Sequence, residues 1–89
     1  MQAVISVTGK DSVGIIAKVS QKCYDCNVNI VDISQSVLKD YFAMIMLVEI
    51  DKMSIAFTEF VDAMNAIAKE NNLSIHTMHE DIFNSMHKI

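Results

Sequence analysis

Eighty-nine residues, 52% of them apolar, suffice for one small domain around a single core. The net charge is −4 and the seven Lys and Arg are scattered, so no basic stripe exists for a nucleic-acid backbone. The longest unbroken apolar stretch, Tyr41 to Val48, falls far short of the ~20 residues that cross a bilayer, which excludes a membrane-spanning helix.

The chain enters a strand pattern directly, without the basic start and cleavage site of a signal peptide, so a cytoplasmic location is expected. Residues 2–8 read as that strand, with Ala3, Ile5 and Val7 on one face and Gln2, Val4, Ser6 and Thr8 on the other. Both glycines follow within six residues, in Gly9-Lys10-Asp11-Ser12-Val13-Gly14, and the chain has no proline. Glycine admits positive φ and lets a backbone or ligand come close. This junction is therefore the leading candidate for a binding site. Asp11 or Ser12 is expected to cap a helix over about 13–26. Its stripe is Ile16, Val19, Ser20 and Cys23, with Ile15 nearby, and Asn27 is its stop.

Val28 to Leu38 predicts a second strand whose alternation breaks, because Ile30, Val31 and Ile33 cannot all point one way. A bulge near Val31-Asp32 reconciles them. Lys39-Asp40 turns the chain into a third strand, Tyr41 to Asp51, which forms a hairpin with the second. Phe57, Phe60, Val61, Met64, Ile67 and Ala68 recur at three and four residues and predict a second helix, capped by Ser54 and ended by Asn71-Asn72. Leu73 to Met78 is a fourth strand. Ile82, Phe83, Met86 and Ile89 then mark a short amphipathic helix after His79-Glu80-Asp81.

The order β-α-β-β-α-β predicts an α+β, ferredoxin-like sandwich: four antiparallel strands with two helices on one face. Residues 1–79 form the domain and 80–89 an amphipathic tail. Strand three is apolar on both sides, with Phe42, Met44, Met46 and Val48 on one and Ala43, Ile45 and Leu47 on the other. A half-solvated sheet would alternate apolar with polar, so the tail or a second subunit should cover the second face.

Several motifs fail on inspection. Gly9-x-x-x-x-Gly14 shares the spacing of a phosphate loop, but Ile15 and Ile16 stand where Lys and Ser or Thr must follow. Cys23-Tyr24-Asp25-Cys26 falls at a helix C-terminus, where the dipole opposes a thiolate, and reads as a pair of packing thiols. His79-Glu80 begins like a zinc-peptidase motif, but Phe83 occupies the second ligand position. The remaining histidines, His76 and His87, have surface or tail-docking roles as the simpler reading, and the methionines fall mostly on core faces. Ser6, Ser12 and Ser20 have no base at readable spacing, so no catalytic site, metal or cofactor is expected.

Asp11-Ser12-Val13-Gly14-Ile15-Ile16, followed by Val19-Ser20 and Asn29-Ile30-Val31-Asp32-Ile33, resembles the ACT domain, the small regulatory module of amino-acid metabolism. The usual pattern there is Asp-x-Pro-Gly and an aliphatic residue, a helix, then an Asn-Ile pair opening the second strand. The likeness covers residues 2–78, and the tail around His79-Glu80-Asp81-Ile82-Phe83 is similar to that of small free-standing bacterial ACT proteins. Val13 stands where many ACT domains have proline, which leaves the loop less rigid. The resemblance implies a homodimer or larger homo-oligomer with a site between subunits. One side would be Gly9, Lys10, Asp11, Ser12, Val13 and Gly14, and the other Asn29 with Asp32. A free amino acid fits that chemistry: amides at a helix start suit a carboxylate, Asn29 can donate and accept, and Asp11 can accept from an ammonium group.

Two further readings stand beside this one. The loop and Asn29 can be turn residues and nothing more. The chain can also be a protein–protein adaptor or oligomerisation module without a small ligand, in contact with a regulated protein partner through its apolar sheet face or its tail. An RNA-binding domain of this fold is disfavoured, because strand one has no aromatic residue to stack a base and the balance is acidic.

Overall fold

A computed structural model describes residues 1–10 and 13–86. Strand β1 is Gln2–Gly9, helix α1 Ile15–Asp25, β2 Asn29–Leu38, β3 Tyr41–Glu49, α2 Phe57–Asn71, β4 Ser74–His79 and α3 Glu80–Met86. The strands form one antiparallel sheet in the order β2-β3-β1-β4. This is the expected ferredoxin-like sandwich.

The core lies between the sheet and the two long helices. Ala3, Ile5 and Val7 of β1 and Phe42, Met44, Met46 and Val48 of β3 supply the floor. Phe60 and Met64 of α2 are fully enclosed above it, with Ile67 and Ala68 at the margin. On α1 the buried line is Ile15, Val19 and Cys23, while Ile16 and Ser20 are only half-buried. The stripe is thus rotated slightly from the expected one, and α1 begins later than expected.

Backbone punctuation follows the asparagines. Asn27 and Asn72 adopt left-handed φ of 58° and 56° just past α1 and at the end of α2, a conformation Asn tolerates better than most residues. The irregular pattern of β2 resolves as a bulge: Ile30 faces Val48, Asp32 faces Leu47, and Val31 is the extra residue. Ile30 and Ile33 then both point to the core side.

Two helix starts differ from expectation. The N-cap of α1 is Gly14, left-handed at φ 73°, with no side-chain cap, while Asp11 and Ser12 lie outside the described residues. The cap of α2 is Ala56 and not Ser54. The Ser54 N–H donates to the Cys26 carbonyl at 2.9 Å, and Ile55 packs on the core. These contacts hold the chain extended past Ser54 before it can turn.

Strand β4 reaches His79, so α3 starts at once. It touches β1 and β4 and neither α1 nor α2. Among the described residues no helix is long and apolar enough to cross a membrane.

Candidate functional site

Pairing of Gly9 with Phe42, and of Phe42 with Val37, puts the β1–α1 loop at one end of the sheet. Gln2 pairs with Glu49, and Glu49 with Asn29, at the other end. About seven strand steps separate the two, ~23 Å at ~3.3 Å per residue. Within one chain the structure does not bring the loop together with Asn29 and Asp32.

At the loop end, Lys10, Val13 and Gly14 are exposed and Gly9 is half-buried. Gly9 has a packing role: a Cβ there would come within 2.3 Å of Leu73 Cδ2. Gly14 has open space around it, so its left-handed backbone is what requires glycine. Lys10 Nζ sits 5.8 Å from the centroid of the Tyr41 ring, a cation–π distance. Gly9, Lys10, Tyr41, Asn71 and Asn72 line a hollow of about 410 Å³. Within α1 the first amide bonded back to the cap is that of Lys18, to the Gly14 carbonyl, and the first turn carries no acidic side chain. The amides before it therefore present partial positive charge with no carboxylate of their own helix to offset it.

At the opposite end, exposed Asn29 lines a cleft of about 590 Å³ with Tyr24, Asn27, Val28, Glu49, Asp51 and Lys52. Asn27 Nδ2 donates to the Lys52 carbonyl at 2.7 Å and fixes one wall. The Met1 ammonium donates to Glu49 at 3.0 Å and Asp51 at 2.6 Å. Those hydrogen bonds raise the ammonium pKa above its ordinary value and lower that of Asp51. Asp32 is exposed, and its carboxylate accepts the Ile33 N–H at 2.9 Å. Sequence reasoning missed Tyr24, Glu49, Asp51 and Lys52. Their only signal was a tyrosine on the polar side of α1 and charges at the end of the expected third strand, and the cleft depends on β3 ending at Glu49 and not at Asp51.

Other chemistry-bearing groups take structural positions. Cys23 and Cys26 are free and buried, and burial pushes the Cys23 thiol up to about 11. His79 lies on the helix-facing side of β4, stacked on Phe57 at 4.1 Å, and its Nδ1 has no hydrogen-bond partner. His76 points to the other face. Its Nε2 lies 3.2 Å from Ser74 Oγ, and among the described residues no third group orients this exposed pair as a catalytic base would need. Among the described residues no group of three His, Cys, Asp or Glu could hold a metal ion, and His87 is outside them.

Comparison with known proteins adds the following. The sequence pattern of the ACT domain matches residues 1–78. A UPF0237 protein of Listeria innocua serovar 6a is 43% identical over 89 residues, the full length of both chains. Among solved structures, an ACT domain protein from Streptococcus pneumoniae superposes with a TM-score of 0.81 at 40% identity, covering 93% of each chain. A formyltetrahydrofolate deformylase from Pseudomonas syringae pv. tomato gives 0.78 at 25% identity, over 88% of this chain and 27% of that one.

Proposed function

The chain belongs to the ACT domain family of regulatory ligand-binding modules, and from that premise we propose that it senses a free amino acid at a site shared by two copies of itself. The carrying observation is that the loop and Asn29 lie at opposite ends of a sheet in which β2 is one of the two edge strands. A two-fold axis beside β2 would pair two such edges antiparallel and set the partner's Asn29 end next to Val37, on the side of the loop. Antiparallel pairing satisfies the edge's unpaired backbone groups.

In this arrangement the α1 amides and Lys10 bind the carboxylate. Asp11, the Asn29 side-chain oxygen and Asp32 accept from the ammonium group. Gly14 shapes the turn, and Gly9, Ser12 and Val13 complete the wall. The chain acts as a regulatory module of the cytoplasm and not as an enzyme. Its output is the difference in ligand affinity between subunit arrangements, read by a regulated protein partner.

A calorimetric screen of the twenty amino acids tests this. Heat with at least one of them, and a loss of about tenfold or more in affinity on Asn29→Ala, are expected. A folded, self-associated protein that gives no heat with any of them overturns the sensor reading. The exposed apolar side of β3 then favours a ligand-free adaptor.

A further inference from the structure

Three elements meet at the hollow beside the loop. Gly9 and Lys10 lead out of β1, Tyr41 opens β3, and Asn71 and Asn72 close α2. Its volume of about 410 Å³ falls within the ~300–1,000 Å³ of small-molecule sites. Lys18, in the first turn of α1, donates through Nζ to Asn71 Oδ1. The first turn of α1 and the last turn of α2 therefore stand side by side here. The hollow thus adjoins the α1 amides assigned above to the ligand carboxylate, and the inference below rests on that reading.

The polar groups around the hollow decide which side chain it suits. Lys10 is the one charged side chain lining it among the described residues. With the α-carboxylate of the ligand on Lys10, no free charge is left for a second one. The last carbonyls of α2 lack partners in their own helix and carry partial negative charge, which opposes a side-chain carboxylate. Lys10 and Lys18 oppose an ammonium or guanidinium group.

The neutral groups remain. Asn71 is engaged already, since its Nδ2 donates to the Ile67 carbonyl at 2.8 Å and its Oδ1 accepts from Lys18. Asn72 stands differently. Its backbone is left-handed and its N–H donates to the Ala68 carbonyl, while its side chain is exposed at the hollow. That amide offers an acceptor oxygen and two donor hydrogens. Tyr41 is 58% exposed and adds a hydroxyl that can donate or accept. A matching group must donate and accept without carrying charge. A primary carboxamide does both: its NH2 donates to Asn72 Oδ1, and its oxygen accepts from Asn72 Nδ2 or the Tyr41 hydroxyl. A hydroxyl on a short stem has the same chemistry but fills little of this volume.

We propose that the hollow takes the side chain of the bound amino acid, and that Asn72 and Tyr41 select a carboxamide, asparagine or glutamine. Both act on specificity and neither on the carboxylate contact.

Calorimetry on the full-length chain tests this, with each carboxamide compared with its near-isosteres: glutamine with glutamate and methionine, asparagine with aspartate and leucine. One carboxamide is expected to bind tightest, by about tenfold or more over its isosteres. Asn72→Gly removes the amide and keeps the left-handed backbone that glycine adopts freely. Tyr41→Phe removes only the hydroxyl and keeps the ring beside Lys10. Each should reduce the ratio of carboxamide to carboxylate affinity severalfold, whereas a purely structural loss would weaken all ligands alike. Circular dichroism confirms that the variants are folded. A ratio that survives in folded Asn72→Gly overturns the assignment. So does a tightest ligand of another class, which leaves the shared-site reading standing. Absence of heat with every amino acid overturns both.

Discussion

Gly14 and Gly9 are both glycine, for different reasons. At Gly14 space is not the reason, since an added Cβ meets nothing within 4 Å. Its φ of 73° is the constraint. Gly14→Val should therefore cost about 1–3 kcal/mol through backbone strain, read from urea midpoints at unchanged slope. At Gly9 the obstacle is the end of the Leu73 side chain, so Gly9→Ala should be partly relieved by Leu73→Ala in a double-mutant cycle. Additive losses would refute that account. Cys23 gives a pH prediction. Burial raises its thiol from 9.0 to about 11, so the fold holds this proton more tightly than the open chain does. Its contribution to stability is intact below pH 9 and is lost as pH rises through about 11. At pH 8 a disulfide reagent should modify this thiol slowly until urea opens the core.

At the level of elements, β2 was legible because its alternation fails. Three aliphatics at Ile30, Val31 and Ile33 cannot satisfy one core, and the bulge at Val31 is the resolution. Deleting Val31 would leave Ile30 facing in, Asp32 out and Ile33 in. The shortened strand should therefore keep its register, with core amide resonances on β3 unchanged in a two-dimensional NMR spectrum. A shift of the whole pattern would show that the bulge sets the pairing. Helix starts were less legible. Ser54 has the chemistry of a cap, but its N–H is already tied to Cys26 and Ile55 is drawn into the core, so tertiary contact outweighs local preference. Helix stops draw on the local left-handed tolerance of Asn27 and Asn72, and these were readable.

For the molecule as a whole, one small core carries the fold. Phe60 has no exposed surface, and Phe60→Ala should remove about 3–5 kcal/mol, a large share of the ~5–15 available to a domain. Melting of that variant at or near growth temperature is the expected result. The loop half of the candidate site was legible as a glycine-rich strand-to-helix junction. The Asn29 half was reached only through family resemblance, because pairing register, and not local sequence, decides which end of the sheet it occupies.

Placing Asn29 ~23 Å from the loop in its own chain has a consequence for dosage. On the shared-site reading, a lone molecule is deaf to its effector, and hearing begins only when the cell makes enough of it to pair. Gene expression would then set the detection threshold, and dilution alone would silence the response at a constant level of effector.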